Sequence, residues 1–149
     1  MENRVQRAIE LFKSGYNCSQ SVVAAFADLY GFTDEQALRM SASFGGGIGR
    51  MRETCGAACG LFILAGLETG AVEGKDKEAK AQNYAFVQQL AKVFKERNGA
   101  LICRELLELR KTAPISSTPE ERTDQYYAKR PCLKIVEEAA VIWSEYLQK

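Results

Sequence analysis

Histidine is absent from all 149 residues of this chain. With it go the usual general base near neutral pH and the commonest metal ligand. Ser-His catalysis, Cys-His catalysis and His-ligated metals are therefore excluded within the chain. A metal would have to take Cys, Asp, Glu or backbone ligands. No Cys-x-x-Cys pair occurs either. That removes the zinc knuckle, the bacterial ferredoxin run and c-type haem attachment, each of which needs one. An excess of charge is also lacking: 20 basic against 19 acidic residues leave a net charge of +1. Nothing in that balance calls for nucleic acid or an anionic membrane as partner. The longest apolar run, Ala57 to Leu67, is about eleven residues, short of the roughly 18 needed to span a bilayer, so no membrane insertion is expected. Met1-Glu2-Asn3-Arg4 carries charge where a signal peptide would be apolar, and a cytoplasmic location is expected. Sustained period-two alternation, repeats, low-complexity tracts and linkers are all missing, so residues 1–149 read as one domain.

What is present is helical patterning. Val5, Ala8, Ile9 and Phe12 share a face, and Gly15 reads as a stop. Asn17 caps a second helix that runs to Gly31, with Cys18, Val22, Ala25, Phe26 and Leu29 on one side. Thr33 and Gln36 form a capping box for a third, reaching about Ala42. A fourth, from about Thr54 to Thr69, is apolar nearly all round and is expected at the centre of the bundle, with Gly70 ending it. A fifth spans about Lys75 to Arg97 and closes at Asn98-Gly99. Ile102 to Leu109 reads as a shorter helix, and Arg110 to Ser117 as a loop. Thr118-Pro119-Glu120-Glu121 is a further capping box and predicts a short helix after it. Pro131 opens the last helix, which carries Cys132, Val136, Ala139, Ala140, Trp143 and Leu147 on its stripe. The fold class is all-α, a bundle of five or more helices.

Four of the five cysteines fall at helix starts: Cys18, Cys55, Cys103 and Cys132. Unpaired backbone N–H groups and a partial positive charge at a helix N-terminus favour thiolate over thiol. The competing reading is four core cysteines, since free Cys is among the most buried residues. Independent core placement would scatter them along the stripes, whereas all four sit at starts. As metal ligands they would come singly, from four separate elements, as sites between facing helices do. Cys59 lies one turn after Cys55 on the same face. It reads as a resolving partner for Cys55, making these two the redox candidates, as a spare ligand, or as a small core residue.

Glycines surround the same region. Gly45, Gly46, Gly47 and Gly49 form a loop ahead of the fourth helix. It fits neither Gly-x-Gly-x-x-Gly nor a Walker motif, because Arg50 and Arg52 occupy the later positions. Such a loop suits an anion, cofactor or cluster, or else a tight connection that needs positive φ. Gly56 and Gly60 sit one turn apart beside Cys55. Glycine inside a helix costs about 1 kcal/mol relative to alanine. The space they leave is for a close helix or for a ligand.

Together these residues resemble a bacterial and archaeal family of redox-active proteins named for the signature C…GCAxxG…C…C. Gly15-Tyr16-Asn17-Cys18-Ser19-Gln20-Ser21-Val22 is similar to its first motif. Phe44 to Arg50 with Cys55-Gly56-Ala57-Ala58-Cys59-Gly60 is similar to the central one. Ile102 to Leu107 and Pro131-Cys132 match the last two. Here cysteine precedes glycine at Cys55-Gly56, the reverse of the signature, and Cys59 lies outside it. The resemblance implies a helical fold and a redox-linked role. A similar domain accompanies haem-bearing segments in some split-Soret cytochromes, where an iron–sulfur role has been suggested.

The leading expectation is an electron-transfer protein in which Cys18, Cys55, Cys103 and Cys132 hold an iron–sulfur cluster, with [2Fe–2S] favoured. Purified in air, such a site is expected empty or oxidised. Zinc is the alternative metal. A dithiol–disulfide oxidoreductase using Cys55, or a non-catalytic helical module binding a partner or small molecule, are the alternative functions. A homodimer is compatible with the sequence, and the redox partner is not readable from it.

Overall fold

Asn17 and Thr33 start their helices by the same device. Each side chain accepts from the N–H three residues on, and the glutamine there, Gln20 or Gln36, accepts from the cap's own N–H. Two orphan donors are thereby satisfied at each start. The protein is seen in a computed structural model that describes residues 2–149, with side chains from Asn3 onward. Among these residues the regular elements are all helical. They are α1 (Glu2–Lys13), α2 (Cys18–Ala24), α3 (Asp34–Ser41), α4 (Gly56–Thr69), α5 (Lys77–Asn98), α6 (Cys103–Leu106), α7 (Asp124–Lys129) and α8 (Cys132–Leu147). Short 3-10 turns follow α2 at Ala27–Tyr30 and α3 at Ala42–Phe44. An isolated antiparallel bridge joins Thr54 to Ile102.

α4 packs against α2, α5 and α8, while α1 lies along α8 and α2. The first six residues of α4, Gly56 to Leu61, are all buried, but Gly66 and Glu68 further on are exposed. Phe12, Phe26, Phe94 and Trp143 fill the core from α1, the end of α2, α5 and α8. Gly60 allows the close approach of α2: a methyl group there would lie 3.0 Å from Val22 Cβ. Gly56 serves the turn before α4, because its methyl would lie 2.8 Å from the Phe44 carbonyl oxygen. Both helix glycines therefore answer to neighbouring protein.

Three sequence expectations shift. The second helix does not run evenly to Gly31. It stops as an α-helix at Ala24, and the tighter 3-10 turn rotates Leu29 outward to 46% exposure. The shorter helix after Asn98-Gly99 ends at Leu106, where Glu108 takes a left-handed φ of 57° and turns the chain away. No helix starts at Thr118. The Thr118 carbonyl accepts from Arg50, its N–H donates to Ser116 Oγ, and Glu120 is drawn to Arg50 and Arg130. These tertiary contacts hold Thr118 and Glu120 in a non-helical segment, and α7 begins six residues later with Thr123 as its cap.

Gly66 sits mid-helix with open space where a Cβ would be. Gly66→Ala is expected to raise stability by about 0.4–1 kcal/mol. Gly56→Ala, which must displace the backbone at Phe44, is expected to lower it by about 1–3 kcal/mol. Urea denaturation of the two variants checks the opposite signs.

Candidate four-cysteine site

The geometry of the site begins with the bridge between Thr54 and Ile102. Cys55 N–H donates to the Leu101 carbonyl at 2.8 Å, and Cys103 N–H donates to the Glu53 carbonyl at 2.6 Å. The starts of α4 and α6 are thus laced together, with Cys55 and Cys103 adjacent. Cys18 stands at the first position of α2 and Cys132 at the first of α8, with Pro131 as the cap. The four converge. A cavity of about 20 Å³ is lined by Cys18, Cys55, Cys103 and Cys132, with Gly47, Gly56, Leu106, Leu107 and Ile135 completing its wall. All five cysteines are free thiols.

Cys59 stands apart. Its sulfur lies 3.8 Å from the Thr54 carbonyl, it does not line the cavity, and its proton affinity responds to no other cysteine. Cys55 and Cys59, the expected redox candidates, therefore face different surroundings, although Cys55 caps the helix that carries Cys59.

The glycine loop supports the cavity from outside. Gly46, Gly47 and Gly49 all have positive φ, as do Ile48, Arg50 and Arg52. The N–H groups of residues 48–53 donate to carbonyls of residues 43–48, so these donors are spent within the loop. A Cβ on Gly47 would lie 2.6 Å from Cys103 Cβ, which requires glycine beneath that cysteine. Gly47 and Gly56 touch the inner cavity, while Gly45, Gly46 and Gly49 line a larger cleft outside it. Gly60 lies in neither and packs on Val22.

The outer cleft, about 420 Å³, has Cys18 and Cys132 in its wall together with Arg50, Arg52, Arg122, Arg130 and Tyr126. The two cysteines are thus shared between cleft and inner cavity. Arg52 donates to Cys103 Sγ at 3.7 Å. Arg122 ties α7's approach to α1 by donating to the Phe12 and Tyr16 carbonyls and lying 4.2 Å from the Phe12 ring centre.

Helix starts do not by themselves make these groups thiolates. Burial pushes Cys55 up to about 12, although the Ala58 and Ala57 N–H groups pull the other way. Burial raises Cys103 too, opposed by Arg52, and takes Cys59 to about 11. Cys132 is the exception and comes down to about 7. The Cys18 thiol donates to its sulfur, and Arg130, a Tyr126 hydrogen bond and Arg122 add to the effect against burial. The same hydrogen bond, with burial and the other three cysteines nearby, holds Cys18 well above the ordinary thiol range. The hydrogen bond thus favours the charged form at Cys132 and the neutral form at Cys18.

The donor set fits an iron–sulfur cluster chemically: four thiols, an otherwise apolar wall and no competing ligand. Among the described residues no group of three or more Cys, Asp or Glu side chains is placed to hold a single metal ion. Zinc would need its four sulfurs about 2.3 Å from one centre.

This is an all-helical protein in which four of the five cysteines, from four elements, line one small cavity. The chain belongs to the C_GCAxxG_C_C family, described as "Putative redox-active protein (C_GCAxxG_C_C)", whose model matches residues 16–146 and so spans every cysteine. No curated protein and no solved structure matches it. No helix among the described residues is long and apolar enough to cross a membrane.

Arg52, Arg122, Arg130 and Tyr126 were not singled out as site residues by sequence reasoning. Arg122 contacts residues 12 and 16, over a hundred positions away. No local pattern signals such a contact.

In reduced, metal-free protein, alkylation of Cys132 by iodoacetamide should reach half its limiting rate near pH 7. Cys55 and Cys59 should stay unreactive until far higher pH. Cys18→Ala removes the donor that stabilises the Cys132 thiolate, so the midpoint should move up toward about 8.5. Peptide mapping by mass spectrometry across pH reads each site, and an unmoved midpoint would refute the pairing.

Proposed function

We propose that Cys18, Cys55, Cys103 and Cys132 ligate an iron–sulfur cluster, of the [2Fe–2S] type, and that the protein transfers electrons. The observation that carries this reading is the convergence of four cysteines, each from a different element, on one small apolar cavity. Cysteines that served only as core residues would have no reason to meet. When bound, the cluster supplies a one-electron couple. The protein's part is to position the ligands and keep water from them. The bridge at Thr54 and Ile102 holds Cys55 and Cys103, and Leu106, Leu107 and Ile135 close the apolar wall. Arg52 and Tyr126 donate toward sulfur, which stabilises the charged ligand form and raises the potential of a bound centre.

A second reading rests on the contact between Cys18 and Cys132. In it the two thiols lose two protons and two electrons to a disulfide-bearing or other two-electron acceptor and become a disulfide. The lowered pKa of Cys132 and its position in the cleft wall favour it as the attacking sulfur.

Anaerobic expression decides between them. The cluster reading expects a coloured protein with about two iron and two sulfide per chain. Cys132→Ser should abolish the colour and Cys59→Ser should keep it. A colourless, iron-free protein that forms a reversible Cys18–Cys132 disulfide supports the second reading and refutes the first.

A further inference from the structure

The outer cleft carries an excess of positive charge that the four-cysteine reading uses only in part, through Arg52 at Cys103 and Arg122 and Arg130 near Cys132. Among the described residues lining it, the charged groups are Arg50, Arg52, Arg122, Arg130 and Glu120. Four guanidinium groups face one carboxylate and the lowered-pKa Cys132 thiol, which still leaves the concavity positive, in a chain whose net charge is +1. Solvated arginines on an open face would need no explanation. These are not on an open face: the side chains of Arg50 and Arg130 are each only 19% exposed. Burial and the neighbouring Arg52 and Arg130, against Glu120, lower the proton affinity of Arg50.

Some of this charge is structural. Arg50 donates to the Ser116 and Thr118 carbonyls, Arg130 pairs with Glu120, and Arg122 is held by α1. These contacts satisfy individual N–H groups, mostly with neutral carbonyls, and leave the positive potential standing. Arg52 is the least committed. Its side-chain hydrogen bond goes to a sulfur at 3.7 Å, while a guanidinium has five N–H donors in a fork suited to carboxylate and oxyanion geometry. The volume of about 420 Å³ is that of a small-molecule site.

We infer that this cleft binds a small anion bearing carboxylate or oxyanion groups, held by Arg52 with Arg50 and Arg130, against the wall formed by Cys18 and Cys132. The occupant is small because the charge lies inside a concavity. Glu120 competes with it for Arg130 and Arg50. The inference stands apart from the nature of the cysteine site, because it needs neither iron nor electron transfer.

The test is calorimetric titration of the anaerobically purified protein with inorganic phosphate and, separately, with succinate. Saturable binding of phosphate alone assigns an oxyanion ligand, and of succinate alone a carboxylate ligand. Arg52→Gln should weaken binding about tenfold, the loss of one charge-assisted hydrogen bond. Glu120→Gln should tighten it by removing the competing carboxylate, a gain that misfolding cannot imitate. The inference is overturned if neither anion binds saturably, or if Arg52→Gln and Glu120→Gln both leave affinity unchanged. Iron content, measured on the same samples, reports separately on the cysteines.

Discussion

Two backbone hydrogen bonds, from Cys55 N–H to Leu101 and from Cys103 N–H to Glu53, hold the geometry of the site together. They join segments nearly fifty residues apart, and they do so without side chains. Because the backbone makes the link, the adjacency of Cys55 and Cys103 does not depend on sulfur chemistry. Gly47 is a consequence of it: with Cys103 laced against the loop, only glycine leaves room for the cysteine's Cβ. Gly56 follows the same logic on the other side, where Phe44 presses on the start of α4. The positive φ values from Gly46 to Arg52 are how the chain makes this crossing in so few residues.

Burial and electrostatics then divide the cysteines. Cys55 and Cys103 lie deep, and desolvation favours their neutral form. Cys18 and Cys132 lie between the cavity and the cleft, where Arg122, Arg130 and Tyr126 lower the cost of a charge on Cys132. A metal at the site would replace the protons on Cys18, Cys55 and Cys103 and reverse the preference of those three, while Cys132 already leans toward the charged form. The arginine-lined cleft lies against the more exposed pair, so whatever enters it meets Cys18 and Cys132 before the buried pair.

Much of the fold was legible in the sequence because its signals are local. The capping boxes at Asn17 and Thr33, the left-handed glycines at Gly31 and Gly99, and the apolar stripes of α1 and α8 each act within a turn or two of the helix they define. The capping box at Thr118 failed for the complementary reason. The Thr118 carbonyl and Glu120, inside the motif, have partners elsewhere in the chain, at Arg50 and Arg130, and a local motif cannot register distant partners. Leu29 shows the same limit on a smaller scale, since the tightening of one turn moved it off the buried face.

Sequence alone determined that the chain is helical, that any metal ligand is not histidine, and that four cysteines stand at helix starts. Each of these is a matter of composition or of spacing within one element. Only the tertiary structure decided that those four starts share a point, that Cys59 does not join them, and that arginines from residues 50–52 and 122–130 gather over one pair. Those outcomes depend on which helix ends meet. That in turn depends on packing α4 against α2, α5 and α8, and on a backbone bridge between segments that carry no mutual signature. The same packing divides the thiols: every helix start offers its N–H groups, but burial outweighs them at Cys55 and, even with Arg52 beside it, at Cys103, and is itself outweighed at Cys132, where several donors and cations meet.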